Sequence, residues 1–264
     1  MKNLLSHKVR KARHWILNLS LVQDFQEKFP KLTSFIGERF HTKSFLGLPL
    51  TLVTVLAFVN VSLLSELTES VMDAEWIVMA DKEFTTLLYD MRSTWLSQFL
   101  FLVTRLGDQE AVFIVGAIVT GIFLYRRRFV AIIAFWLVMG GMGLSVRYGK
   151  TFISRARPAD VAYYEVVHYS FPSGHATTAL ALYGMLAYFM YRHYSKSRYQ
   201  KLCLWSAVIL SVLIGFSRIY LGVHYLSDVL AGFLLGLLWM LVGVSLVEVM
   251  MYRKNKLPFN NHTE

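Results

Sequence analysis

The chain is poor in the residues that staple, interrupt and solvate a soluble domain. Of its 264 residues one is cysteine, five are proline and 17% are charged. A lone thiol, Cys203, excludes a disulfide within the chain and leaves the redox compartment open. Acidic groups are scarce, 17 Asp and Glu against 27 Lys and Arg, for a net charge of +10. No internal repeat or low-complexity tract is present. The eight histidines show no HExxH spacing, so no zinc site of that kind is expected. The first long apolar run starts near residue 45, too far in for a signal peptide.

Apolar residues are what the chain has in abundance. They make up 55% of it, the mean hydropathy is +0.46, and they come in long blocks that an ordinary soluble domain does not carry. A bilayer core about 30 Å thick takes about 20 residues of helix to cross. Six blocks meet that length: 45–65, 109–125, 129–148, 174–192, 202–220 and 226–250. The fold class expected is therefore all-α, a polytopic membrane protein with six transmembrane helices. A seventh stretch, Trp95–Leu106, would be about 18 Å long as helix and ends at the turn-like LGDQE. It is expected as an additional interfacial helix, the alternative being the first part of a broken crossing.

Three regions follow: a basic N-terminal segment (1–44), a six-span domain (45–250) and a short tail (251–264). In the first, Leu5, Val9, Ala12, Ile16, Leu19, Val22, Phe25 and Phe29 recur at helical spacing. They suggest an amphipathic helix on the cytoplasmic leaflet that Pro30 would end, or else a loosely ordered tail. With both termini cytoplasmic, nineteen of the 27 Lys and Arg fall on the inner side. This positive-inside bias accounts for the basic charge without a nucleic-acid partner. Gly232 and Gly236 form a GxxxG, and with MGGMG (139–143) they point to close helix packing.

Polar groups are expensive at membrane depth, so those retained there are candidates for function. They gather in three places: Lys150, Arg157 and Pro158; Pro172, Ser173, Gly174 and His175; and Ser217, Arg218, His224 and Asp228. The first two share a loop, and the chain crosses twice before the third, so all three reach the outer face. Ser173 suits a helix N-cap, where free N–H groups and the helix dipole favour a phosphate; a plain cap and turn is the alternative. His224 and Asp228, four apart, share a helix face, so the carboxylate can hold one ring nitrogen and free the other to attack. A local ion pair is the plainer reading of that spacing, and snorkelling is the plainer reading of the cations. Together, three cations, two histidines and an aspartate are the groups phosphoryl transfer uses.

The order and spacing Lys150–x6–Arg157–Pro158, Pro172-Ser173-Gly174-His175 and Ser217-Arg218–x5–His224–x3–Asp228 resemble the three-part signature of the type 2 phosphatidic acid phosphatase superfamily. The resemblance implies that His224 is the nucleophile of a phosphohistidine intermediate, oriented by Asp228, with His175 as general acid. It implies that Lys150, Arg157, Arg218, Ser173 and the Gly174 amide hold the phosphate, without a metal or other cofactor. Soluble haloperoxidases share the signature, and the six spans argue against that branch. The function expected is hydrolysis of lipid phosphates or pyrophosphates at the outer leaflet, with undecaprenyl pyrophosphate, phosphatidylglycerophosphate and phosphatidic acid as candidate substrates. A phosphotransferase passing the group to another lipid or sugar is one alternative, and a non-catalytic transporter or scaffold is another. Arg147, Arg155, Asp160, His168 and Tyr169 are expected as rim or headgroup contacts. The acidic 66–92 segment, with Glu66, Glu69, Asp73, Glu75, Asp81, Glu83 and Asp90, is expected as a solvated loop. Its apolar Trp76, Ile77, Phe84, Leu87 and Leu88 are candidates for a lipid entrance.

Overall fold

The computed structural model describes residues 20–40, 45–74, 76–194 and 198–256. Among these the chain forms ten α-helices and one short 3-10 turn, with no strand. It divides into two compact units, Met1–Thr54 and Val55–Glu264.

The first unit holds α1 (Ser20–Lys28), α2 (Pro30–Arg39) and the start of α3 (Leu48–Met72). As expected, the helix stops ahead of Pro30. That proline opens α2, at the position where its missing N–H is not needed. The earlier part of the expected amphipathic helix, positions 5–19, lies outside the described residues. Arg39 Nη1 donates to Leu46 O (3.0 Å), and Thr51 Oγ1 donates to Arg39 O (3.1 Å), tying α2 to the base of α3.

In the second unit, α3 continues to Met72 with only Asn60 and Val71 buried. Phe58 is 73% exposed, and Val59, Val61 and Leu63 are also open. A stripe this apolar is stable against lipid and costly against water. Among the described residues four helices are long and apolar enough to cross a membrane: α3, α7 (Phe129–Ile153), α9 (Arg198–Tyr220) and α10 (Leu226–Lys256). Helices α5 (Thr94–Thr104) and α6 (Gln109–Tyr125) join through the 3-10 turn Arg105–Gly107 and bend by 49°; together they make a fifth. So the stretch expected at the interface runs directly into the next helix.

The remaining long helix, α8 (Gly174–His193), has 20 residues but opens with Gly, Ala and Thr and is less greasy. Its place explains the composition. Ala176, Thr177, Ala179, Ala181, Leu182 and Met185 are fully buried, enclosed by α7, α9 and α10. A helix half enclosed by protein can be built of small residues that let its neighbours approach. The GxxxG does that: a Cβ on Gly232 would fall 2.6 Å from Ser173 O, and one on Gly236 would fall 2.7 Å from Thr177 O. In MGGMG only Gly141 is tight, against Trp239, while Gly140 and Gly143 face open space.

The acidic segment is not a loop. It comprises the end of α3 and a helix, α4 (Trp76–Asp90). Glu66, Glu69, Asp73, Glu83 and Asp90 are exposed as expected, and Glu75 lies outside the described residues. Asp81 departs from the pattern, since it is 1% exposed. Ile77, Phe84 and Leu88 turn inward onto core residues that include Phe171, Ile219 and Val229, whereas Trp76 and Leu87 stay exposed.

Candidate active site

Because α7 to α10 alternate in direction, the ends of α7 and α9 and the starts of α8 and α10 meet at one end of the bundle. Arg126, Arg127, Arg128, Arg192, Arg198, Arg253 and Lys254 lie at the other end. The sequence thus delivers its three polar clusters to a common place, each on a rigid helix terminus or on the loop between α7 and α8.

His224 stands in the five-residue link between α9 and α10. Helix α9 ends in a tight turn in which Gly222 N–H donates to Ile219 O (2.9 Å), and Val223 and His224 N–H both donate to Arg218 O. The turn needs Gly222 at φ +67°, where a Cβ would lie 2.4 Å from Val161 O. Arg92 braces the same turn, donating to Val161 O (2.7 Å) and Tyr220 O (2.8 Å).

His224 is 2% exposed, with Nδ1 3.2 Å from Asp228 Oδ2 and Nε2 3.2 Å from Arg157 Nη1. A carboxylate can only accept and a guanidinium can only donate. The two neighbours therefore select one tautomer, with the proton on Nδ1 and the lone pair on Nε2 facing Arg157. Burial, then the positive charges of Arg218, Arg157 and Lys150, hold the imidazole well below its ordinary pKa of 6.5, so it is neutral at pH 7. Asp228 is itself fully buried. It accepts from Tyr225 N–H (2.9 Å) and Arg155 Nη1 (2.6 Å), while its backbone oxygen accepts from Ser173 N–H (2.9 Å).

Two of the cations are held by backbone carbonyls. Arg157 donates to Val223 O, His168 O and Tyr169 O, and Lys150 Nζ also donates to Tyr169 O. Burial, then the neighbouring Arg218, lower the Arg157 guanidinium to about 10, still charged at neutral pH. Arg218, 2% exposed, donates to Thr104 Oγ1 (2.9 Å) and Tyr164 OH, and its buried Nε has no hydrogen-bond partner in the protein.

Ser173 occupies the N-cap of α8 as expected, but its side chain makes no capping bond. Its Oγ is buried and unpartnered. Leaving a buried donor unsatisfied costs about 1–3 kcal/mol, which an anion at this helix start would offset. Gly174 is the first residue of α8, and a Cβ there would meet Val146 Cγ1 at 3.4 Å.

His175 Nε2 lies 2.6 Å from Asp108 Oδ1. Asp108 sits at the break between α5 and α6. There Gly107 packs so closely that an added Cβ would be 3.3 Å from the His175 side chain. The LGDQE segment reads as a turn, and nothing in its spacing announces a partner 67 residues away.

All eight residues singled out from the sequence reach this one end. His224 feels the charges of Arg218, Arg157, Lys150 and His175, and Asp228 touches it directly. Arg155 corrects an expectation. Instead of lying at the rim, its side chain is 11% exposed and bridges Asp228 and Asp81. His168 and Tyr169 act through their backbone carbonyls. Among the described residues, no group of three or more His, Cys, Asp or Glu could hold a metal ion.

Residues 129–251 match the PAP2 superfamily. Phosphatidylglycerophosphatase B of Bacillus subtilis (strain 168) is 35% identical over 164 residues, covering 60% of this chain and 79% of that protein. Lipid A 4'-phosphatase of Porphyromonas gingivalis is 28% identical over 183 residues, covering 64% and 66%. Among solved structures, a transmembrane PAP2-type phosphatidylglycerolphosphate phosphatase from Bacillus subtilis superposes with a TM-score of 0.66 at 29% identity, over 77% of this chain and 98% of that one. Aquifex aeolicus LpxE superposes with a TM-score of 0.51 at 25% identity, over 63% and 95%. The helices, the three clusters at one end of the bundle and these relatives agree: the chain is a multi-pass membrane protein of the type 2 phosphatidic acid phosphatase (PAP2) superfamily.

Proposed function

We propose that this protein is a lipid phosphate phosphohydrolase that works through a phosphohistidine at His224. One observation carries the reading: a buried, neutral imidazole whose Nδ1 proton goes to a carboxylate and whose Nε2 lone pair faces a guanidinium. That nitrogen is free to attack, and Arg157 draws the phosphoryl group to it.

The Nε2 lone pair forms a bond to phosphorus as the bond from phosphorus to the leaving oxygen breaks. Asp228 stabilises the positive charge that the ring acquires while keeping its Nδ1 proton. Lys150, Arg157 and Arg218, with Ser173 Oγ and the Gly174 N–H, take up the charge on the phosphoryl oxygens. His175 protonates the leaving alcohol or phosphate. Because Asp108 Oδ1 accepts from the Nε2–H, His175 enters this step as an imidazolium and gives up the proton on Nδ1. In the second half a water attacks phosphorus and gives its proton to His175, the P–N bond breaks, and inorganic phosphate leaves. No metal takes part.

Six crossings fit the chain when α8 and the α5–α6 pair are each counted. The basic end of the bundle then faces the cytoplasm with both termini, and the site opens on the outer leaflet. The substrate is a membrane lipid carrying a terminal phosphate or pyrophosphate, the class to which the names of both curated relatives belong. The test is phosphate release from a panel of lipid mono- and pyrophosphates in detergent. His224→Ala should abolish it for every lipid that the wild type hydrolyses. Ordinary turnover by that variant would remove the nucleophile assignment.

A further inference from the structure

Behind the His224–Asp228 pair lies a second charged pair that the signature does not contain. Arg155 uses Nη1 on Asp228 Oδ1 (2.6 Å) and on Ser227 Oγ (2.7 Å), and Nη2 on Asp81 Oδ2 (2.8 Å). Asp81, on α4, also accepts from Ser227 N–H (2.9 Å) and Ser227 Oγ–H, so both of its oxygens are used. The Arg155 guanidinium carbon lies over the Tyr225 ring, 4.3 Å from its centroid. Asp81 is the acid of its helix that turns inward, to meet residues 146 positions along the chain.

We infer that Asp81 is a positioning residue for the reaction: through Arg155 and Ser227 it fixes Asp228 behind His224 and restores the negative charge that Arg155 cancels. The inference rests on His224 being the nucleophile. A buried carboxylate needs a partner, and Arg155 supplies one to Asp228. Alone, that partner would leave Asp228 and Arg155 neutral as a pair, with little to offer a ring that turns cationic on attack. Asp81 brings the group back to one net negative charge. Its bonds to the Ser227 backbone and hydroxyl pin the first turn of α10, on which Asp228 stands.

The test compares kcat, KM and the pH dependence of kcat/KM in detergent for the wild type, Asp81→Asn, Arg155→Gln and the double variant, with His224→Ala as control. The ring of His224 is faced by Asp228 from α10, Arg157 from the α7–α8 loop, Lys150 from α7, Arg218 from α9 and His175 from α8. None of these groups is substituted in any variant, and the titration of the substrate is common to all. Asp81→Asn should lower kcat about 10–100-fold, the range typical of a residue that orients an active group from behind. KM should stay within about twofold, because the phosphate cations are untouched. Removing a negative charge disfavours the imidazolium, so the acid limb should move to lower pH. Arg155→Gln leaves two carboxylates behind the ring and should move that limb the other way. The double variant returns to one negative charge and should bring the limb back toward the wild type.

A residue that only packs α4 moves neither limb. Unmoved limbs, or single variants shifting in the same direction, overturn the inference while His224→Ala remains inactive. An active His224→Ala protein would instead overturn the reading on which the inference rests.

Discussion

Replacing Asp228 with asparagine tests the electrostatic part of the mechanism at its centre. The carboxylate is fully buried, and its Oδ2 lies 3.2 Å from His224 Nδ1. When Nε2 bonds to phosphorus the ring becomes cationic. At an effective dielectric constant near 20, a unit charge delocalised over the ring interacts with the carboxylate by about 4 kcal/mol. Arg155, 2.6 Å from the other oxygen, offsets part of this and Asp81, 2.8 Å from Arg155, gives most of it back, so a net stabilisation of about 3–4 kcal/mol is left. At about 1.4 kcal/mol per decade, kcat should fall on the order of 10²–10³-fold. Asparagine adds a second penalty. Its amide can present N–H where His224 also has N–H, which favours the wrong tautomer, an effect worth about 10⁴ in the serine protease triad. The expected loss therefore lies between about 10² and 10⁴-fold. It should fall in kcat, with KM little changed, because Lys150, Arg157 and Arg218 stand on other elements. The assay is steady-state phosphate release in detergent, on protein whose thermal midpoint is compared with the wild type. A kcat within tenfold of the wild type, or a loss confined to KM, would refute the reasoning.

Gly222→Ala should lower both the thermal midpoint and kcat: the backbone at φ +67° alone costs about 1–2 kcal/mol for a residue with a Cβ, and Val161 O would be 2.4 Å away. A variant as stable and active as the wild type would show that the turn is not held as described. Because burial keeps His224 neutral in the fold, the unfolded chain binds a proton near pH 6.5 that the folded chain refuses. This contribution to stability is complete above pH 6.5 and declines as pH falls toward the folded pKa, by up to about 1.4 kcal/mol per pH unit. Thermal midpoints of the wild type should therefore drop more between pH 7.5 and 5 than those of His224→Gln; parallel slopes would contradict the burial argument. Treatment with EDTA should leave hydrolysis intact, and its loss, restored by a divalent cation, would refute the metal-free route.

The parts of this protein that were legible in its sequence are those written over short distances. The blocks of apolar residues mark the long helices, and the short His224–x3–Asp228 spacing brings the two side chains within 3.2 Å, although His224 lies in the link before α10 and not on the helix. The alternation of crossings foretold that the three clusters would share one end. What was not legible depends on contacts between distant segments. Asp81 looks like its exposed neighbours Glu83 and Asp90 until α4 is folded against α10. Arg155 is one of two arginines in SRARP, and only the fold distinguishes its ion pairs from Arg157, which faces His224 Nε2. Asp108 is hidden by its turn-like setting, although a carboxylate at a break between two apolar stretches is itself a signal. The sequence marks Ser173 as the N-cap of α8, but only the structure shows that its hydroxyl leaves the cap unmade.

The most direct measurement is to quench the enzyme during turnover of a lipid phosphate under alkaline conditions, which preserve phosphohistidine, and to map the phosphoryl group by mass spectrometry. The account predicts one added phosphoryl group on the peptide containing His224, and none in Asp228→Asn protein at the same quench time. A phosphoryl group found on any other residue, or turnover in the His224→Ala variant, would contradict it.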